Sequence, residues 1–419
     1  MSKLRCVKGM HDILPEDMPK WHYLENCYRN LVSDYGYEEI RTPILESLDL
    51  FVRGIGESTD IVEKEMYAFE DKGNAKLALR PEGTASVIRA FLQNNLEALT
   101  PVSKLYYIGP MFRRERPARG RYRQFYQAGA ELIGIEDATA DAELIGMAVT
   151  FVKTLGIQNV NVQINSLGDP ETRPAYRNAL VQFFSKKKEQ LCNDCVRRLD
   201  TNPLRILDCK VEACSIAAQE APNVFDYLSD DAHSHFSDLQ QLLSLHDVNF
   251  TVVPTMVRGL DYYTRTIFEI QGGADILGAQ STIVGGGRYN GLVKQLGGRN
   301  TPTIGFAFGI ERLLLLLGDN AKESVKPTVF VAGVGEGGLE RTIRVSRQLR
   351  NCNFKVEAPY KNGSLRSQLK RADKSSAVVA VIAGADEALQ NAVTIRNMQN
   401  GEQQIVPLDE LEPKIRELM

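Results

Sequence analysis

No stretch of this sequence is apolar for anything near the roughly 20 residues that a membrane-spanning helix needs. The longest run is Leu313 to Leu317, behind Gly309-Ile310. The N-terminus, MSKLRCVKGMHDILPED, has no apolar core of a signal peptide. Both absences lead us to expect a cytoplasmic protein with no membrane partner. An excess of one charge is missing too: 50 Lys+Arg face 53 Asp+Glu, for a net −3. The molecule as a whole therefore has no pull on nucleic acid, and only local basic patches can supply one; the tail beyond Lys326 is modestly the more basic part. The cysteines number 7, odd and without a secretion signal, which argues for reduced thiols over a disulfide framework. What is present is 419 residues at 43% hydrophobic, enough for two or three domains with their own cores.

The stretch that stands out runs from Lys104 to Glu131, KLYYIGPMFRRERPARGRYRQFYQAGAE. An apolar β-type run (Leu105 to Ile108) passes through Gly109-Pro110 into Arg113, Arg114, Arg116, Arg119, Arg121 and Arg123. A second β-rich run follows from Gln124 to Ala130. This pattern predicts two antiparallel strands joined by a long arginine-rich loop. Guanidiniums so close together repel one another, so we expect the loop not to pack quietly on its own chain but to hold a polyanion, phosphate above all. A solvated basic loop is the plain alternative. Gln127, Gly129 and Glu131 share one face at period two, which suggests a polar floor beside the arginines.

In chain order, apolar residues from Trp21 to Tyr35 at spacings of three and four predict an amphipathic helix ending at Gly36. A strand interrupted by Pro43 is expected over Tyr37–Leu45. Leu77–Thr84 reads as a strand broken at Pro81, then a helix from Ala85 to Asn94 with Thr84 as N-cap and Glu82 near its positive end. A helix over Ala138–Leu155 and a strand over Val160–Asn165 follow. From Asp169 to about Val248 the chain turns helical and richly charged, as an insertion would. It carries Cys192, Cys195, Cys209 and Cys214, a spacing compatible with tetrahedral zinc. Structural thiols are the favoured account, with zinc the weaker one, because a pair of CxxC motifs is lacking. His233 and His235, on a polar helical stretch, are expected at the surface. A strand resumes at Phe250–Pro254. The peptides Val257 to Glu269 (VRGLDYYTRTIFE), Gly285 to Gly291 (GGGRYNG) and Gly305 to Leu313 (GFAFGIERL) follow. Three adjacent glycines let backbone approach a ligand closely, and Arg312 at the start of a buried helix needs a partner. Ser324 to Pro327 reads as a linker. Beyond it, strands at Thr328–Val334, Val356–Ala358, Ala377–Ala383 and Ala392–Asn397 alternate with helices (Leu339–Asn351, Leu365–Lys374), and a last helix has Asp409 as N-cap.

Phe112-Arg113-Arg114-Glu115 and its long loop resemble motif 2 of the class II aminoacyl-tRNA synthetases, class IIa, and the surrounding text is similar to the histidyl-tRNA synthetase family in particular. Gly36, Ile40 and Pro43 resemble motif 1, which implies a homodimer. Val257–Glu269 and Gly285–Gly291 match the two signature peptides of that family, and Gly305–Leu313 resembles motif 3. The resemblance implies an α+β catalytic domain built on a mostly antiparallel sheet (1–168 and 249–324). It also implies a mainly helical insertion (169–248) and a C-terminal α/β anticodon-binding domain (327–419), where Arg366, Lys370, Arg371 and Lys374 suit phosphate contact. The activity implied is that of a histidine–tRNA ligase, which uses ATP with Mg²⁺ to make histidyl-adenylate and then charges the 3′ end of tRNA(His). By the same resemblance Arg113 and Arg258 are catalytic, gripping the α-phosphate. ATP meets Arg113, Glu115, Arg121 and Arg312; histidine meets Glu82, Gly83, Thr84, Arg113, Gln127, Glu131, Arg258, Tyr262 and Tyr263, with Glu131 and Tyr263 on the two ring nitrogens. The tRNA acceptor end meets Arg116, Arg119 and Arg123. A site that hydrogen-bonds a polar side chain rejects apolar analogues without editing, so no editing domain is expected. The nearest alternative, a noncatalytic regulatory subunit of ATP phosphoribosyltransferase, is disfavoured by the intact Arg113, Arg258 and Arg312 and by the C-terminal domain. An RNA-binding module would not need that arginine set around Gln127 and Glu131.

Overall fold

A computed structural model describes residues 3–57, 59–278, 281–318, 327–361, 363–385 and 389–419. The expected linker residues Ser324, Val325 and Lys326 lie outside them. The chain divides into two compact units, Met1–Glu323 and Ser324–Met419.

The first unit opens with helix α1 (Met18–Asp34), which buries Trp21, Leu24, Tyr28 and Val32 and stops at Gly36, whose φ of +76° suits a residue without Cβ. The single strand expected over Tyr37–Leu45 is two: β1 (Glu38–Glu39) and β2 (Leu45–Ser47), in different sheets. Pro43 between them restricts the chain before it and ends the first pairing. Helix α2 (Leu48–Ile55), a π-helical turn at Ile61–Glu65, β3 (Tyr67–Glu70), β4 (Lys76–Leu79) and α3 (Thr84–Gln93) follow, with β2, β4 and β3 forming a small sheet.

The main sheet is built on the hairpin of β5 (Ser103–Phe112) and β6 (Gln124–Ile133), then α4 (Ala138–Thr154) and β7 (Asn161–Ser166). Strand β5 continues through Gly109-Pro110 to Phe112. Opposite Pro110, Tyr126 gives its N–H to Glu311 and not to β5, so the proline's missing donor costs no ladder bond. Four helices, α5 (Arg173–Lys186), α6 (Asn193–Thr201), α7 (Glu212–Gln219) and α8 (Asp230–Leu245), stand between β7 and β8 (Phe250–Val252). The sheet is completed by β9 (Thr264–Gln271), β10 (Thr282–Arg288) and β11 (Thr303–Gly309), with short helices α9 (Ala274–Leu277) and α10 (Leu292–Gln295) between, and α11 (Ile310–Leu317) after. Its order is β1-β5-β6-β11-β10-β9-β7-β8, antiparallel except for a parallel pair at each edge. Under one face lies an apolar core of α1, α4, α8 and α11; under the other a second core joins α3 and the inserted helices to the tyrosines of the signature peptides.

His235 is not at the surface. It is 7% exposed and lies 3.5 Å from Asp141, which is itself ion-paired with the fully buried Arg288. The polar look of its helix hid this, because the partner is far away in sequence. His233 is exposed, as expected.

The second unit is a five-stranded sheet of order β13-β12-β14-β15-β16: β12 (Thr328–Gly333), β13 (Lys355–Glu357), β14 (Ala377–Ala383), β15 (Ala392–Asn397) and β16 (Gln403–Pro407). Helices α12 (Gly338–Asn351), α13 (Leu365–Lys374) and α14 (Leu411–Glu417) accompany it. Strand β16, largely exposed at an edge, lacks the apolar alternation that would have marked it in the sequence. Glu410, and not Asp409, precedes the last helix. Arg366, Lys370, Arg371 and Lys374 are all exposed on α13.

Candidate active site

Hydrogen-bond register fixes the floor of the site. One row crosses five strands from Tyr107 through Gly129, Ala307 and Gly285 to Glu269. Residues paired across strands share a face, so three minimal side chains lie between a tyrosine and a glutamate and leave a trough. In the neighbouring row Gln127 stands between two glycines, Gly109 and Gly309. Over this floor opens a cleft of about 1050 Å³ including its mouth, large enough for a nucleotide and an amino acid together.

Arginines from three distant segments line the cleft: Arg113 and Arg121 from the β5–β6 loop, Arg258 before β9, and Arg312 on α11. Arg113 donates from Nε to the Pro81 carbonyl at 2.8 Å and stacks over Phe125. Arg121 pairs with Glu115 at 3.1 Å, and Glu115 lies 4.0 Å from Arg113. Arg258 is ion-paired with Glu269, which also accepts from Thr282 at 2.6 Å. Arg312 donates to the carbonyls of Gly120 (3.3 Å) and Thr282 (2.8 Å). Burial, then the nearby Arg121 and Arg113, pull the Arg312 pKa down; an anion in the cleft relieves that repulsion.

The loop packs against its own chain more than its charge suggested. Arg123 donates to the Glu115 carbonyl at 3.2 Å and to the Lys8 carbonyl at 3.4 Å, and the Arg114 amide bonds to Glu65 at 2.6 Å. Backbone carbonyls supply acceptors that a count of charged residues does not reveal. Arg123 is thus a buttress of the loop and is not presented outward with Arg116 and Arg119, whose side chains are exposed and outside the cleft lining.

At the other end of the cleft, Glu82 and Thr84 reach the wall beside Tyr107, Gln127, Tyr262, Tyr263 and Tyr289. Thr84 does not cap α3; Gly83 holds that position, and the Glu82 carboxylate accepts from the amides of Thr84 (2.7 Å) and Ala85 (2.9 Å). The Thr84 hydroxyl instead donates to one Glu131 oxygen at 2.7 Å, and the Tyr289 hydroxyl donates to the other. Glu131 is fully buried behind the wall rather than on it, and burial pushes its pKa up to about 8 against the pull of those two hydroxyls. Gly83 is also off the cleft; its missing Cβ makes room for the Tyr107 ring. Among the described residues, Tyr107 Oη, Gln127 Oε1, Arg121 Nε and Arg258 Nε are buried around this one cleft with no hydrogen-bond partner. Orphaned polar atoms of that kind await a polar ligand.

Tyr107, Glu269, Tyr289 and Glu311 belong to the site and were not singled out from the sequence. All four stand inside stretches quoted above, Tyr107 in Lys104–Glu131, Glu269 in Val257–Glu269, Tyr289 in Gly285–Gly291 and Glu311 in Gly305–Leu313, but only the placing of β5, β9, β10 and α11 shows that they meet.

The histidyl-tRNA synthetase family model matches residues 9–313, and an anticodon binding domain model matches 328–418. A histidine–tRNA ligase of Syntrophotalea carbinolica is 45% identical over 98% of both chains, and one of Aquifex aeolicus is 48% identical over 97% of this chain and all of the other. The crystal structure of apo histidyl-tRNA synthetase from S. aureus aligns with a TM-score of 0.82 and 36% identity, covering 98% of this chain and 99% of that one. A trough floored by glycine and ringed by arginines, joined to these matches over nearly the full length, means that this chain belongs to the histidyl-tRNA synthetase family.

Proposed function

We propose that the cleft performs both half-reactions of a histidine–tRNA ligase and assign its residues accordingly. Histidine binds at the tyrosine-lined end. Its ammonium meets Glu82, Thr84 and Gln127, a charge-assisted contact, and its imidazole lies among Tyr107, Tyr262, Tyr263 and Tyr289. Glu131 behind them, held by the Thr84 and Tyr289 hydroxyls, is the acceptor that selects a ring bearing N–H groups. ATP lies along the floor toward Arg121 and Arg312, which take the β- and γ-phosphates, with Glu115 toward the adenine.

The histidine carboxylate attacks the α-phosphorus, the bond to the bridging oxygen breaks, and pyrophosphate leaves. Arg113 and Arg258, on opposite sides of that phosphate, draw the two anions together and stabilise charge on the phosphate oxygens. A terminal ribose hydroxyl of tRNA then attacks the activated carbonyl and displaces AMP. Mg²⁺ comes with the nucleotide as part of the substrate. That cation would be held chiefly by phosphates and water and would neutralise phosphate charge.

Exposed Arg116 and Arg119 meet the acceptor end of tRNA, and 327–419 carries the anticodon contact, with 169–248 an insertion beside the site. Exposed Ile44, Leu45 and Phe69, on or beside the small β2-β4-β3 sheet, support a homodimer formed through that region. A tRNA substrate assigns the work to the cytoplasm.

The observation that carries this reading is the meeting of Arg113, Arg121, Arg258 and Arg312 on one cleft with orphaned Gln127 and Tyr107. Histidine-dependent exchange of pyrophosphate into ATP tests it. Exchange with histidine alone among amino acids is expected; no exchange, or exchange with an apolar amino acid, overturns it.

A further inference from the structure

The cysteines of the inserted helices take no part in the reaction above, yet the fold gathers them. Cys192 caps α6, Cys195 lies one turn into it, Cys209 follows the turn at Pro203–Ile206, and Cys214 is in the first turn of α7. All four sulfurs lie within 4.8 Å of one another, and those of Cys192 and Cys209 are 3.8 Å apart. A tetrahedral zinc with Zn–S bonds of about 2.3 Å holds its sulfurs about 3.8 Å from each other. The Cys192 amide donates to Cys214 Sγ at 3.1 Å, the kind of bond that steadies a thiolate ligand. Cys195 and Cys214 are buried, and Cys192 and Cys209 half-buried. Thiols acting only as small hydrophobic fillers would scatter through the core; these converge from three separate elements on one point.

We propose that Cys192, Cys195, Cys209 and Cys214 bind one zinc ion in a closed structural site. Four thiolates select a soft, tetrahedral metal and leave no open position for catalysis. A cubane iron–sulfur cluster, with each sulfur on a different iron, needs its ligands farther apart than this. The ion pins a segment that supports the cleft from behind. Arg198 pairs with Asp60 at 3.0 Å, Asn202 donates to Asp261 at 2.8 Å, and Arg205 donates to the Arg258 carbonyl at 3.0 Å. All three lie between Cys195 and Cys209, so the metal sets the frame on which the Arg258–Tyr263 peptide rests.

The test is metal content of the full-length protein purified without chelator, read by elemental analysis. Zinc near one equivalent per chain is expected, released by a mercurial thiol reagent in step with the four thiols. Cys195→Ser and Cys209→Ser are expected to lose it, and Cys27→Ser and Cys352→Ser to retain it. Should the serine variants not fold, wild-type protein produced with Co²⁺ answers instead, by the charge-transfer and tetrahedral d–d bands of a thiolate-bound cobalt. Protein that folds with no bound metal and gives no such spectrum, or that carries a Cys192–Cys209 disulfide, overturns the proposal.

Discussion

Arg258 and Glu269 form an ion pair across Gly285, whose strand position is directly beside Glu269 and whose absent side chain gives the guanidinium its room. The pair fixes a cation that would otherwise swing toward solvent. Arg258→Ala is expected to lower histidine-dependent exchange by about 100-fold or more, as loss of a donor aimed at developing charge does. Glu269→Gln keeps the shape but loosens the arginine, and a loss between about 10- and 100-fold is expected. Steady-state exchange rates check both; a Glu269→Gln enzyme as slow as Arg258→Ala would mean that Glu269 itself contacts substrate.

The glycines of the trough differ in what they protect. A methyl at Gly285 lands on the Arg258 guanidinium, the far end of a long side chain that can shift by giving up its hold on Glu269, so Gly285→Ala should fold and lose rate. A methyl at Gly305 lands on the buried Glu131 carboxylate and within 2.8 Å of the Ala130 carbonyl. Neither can retreat, so Gly305→Ala should lower stability by about 1–3 kcal/mol, the usual penalty of overpacking. Urea unfolding alongside exchange assays separates the two.

Arg116 and Arg119 are exposed and outside the cleft lining, unlike Arg113 and Arg121. The double change Arg116→Ala with Arg119→Ala should leave ATP–pyrophosphate exchange within about twofold. It should weaken tRNA charging and reduce its salt dependence, as loss of phosphate contacts does. Aminoacylation measured over a range of salt decides; equal losses in both assays would place these arginines in adenylation.

Much of this site was legible because β-strands have a period of two: Gln127, Gly129 and Glu131 had to share a face, and the arginine loop between two apolar runs had to be a hairpin loop. The glycine run before Arg288 announced close approach, though not that the guest at Gly285 would be Arg258. Register across strands is what the sequence withholds, and with it the row from Tyr107 to Glu269. Which partners quench a charge is hidden for the same reason. Arg123 finds carbonyls near the N-terminus, and His235 finds an aspartate on α4. The cysteines show the converse: their spacing was ambiguous, and only the packing of α6 and α7 about the turn at Pro203–Ile206 brings four sulfurs together.

Glu131 provides a pH signature. Its folded pKa of about 8 is above the ordinary carboxylate value of 4.5, so the folded protein binds this proton more tightly than the unfolded chain does. The resulting stability is fully present below about pH 4.5 and is lost as pH rises toward 8. Glu311, raised to about 7 by burial, slopes the same way, so the informative quantity is the difference between wild type and Glu131→Gln. The amide mimics the neutral acid and still accepts from Thr84. In ligand-free protein the two should have similar melting temperatures near pH 5, and the variant should gain on wild type steadily up to pH 8. If the variant instead falls behind as pH rises, Glu131 is ionised in the resting protein and the selection of the imidazole ring must begin from a carboxylate already charged.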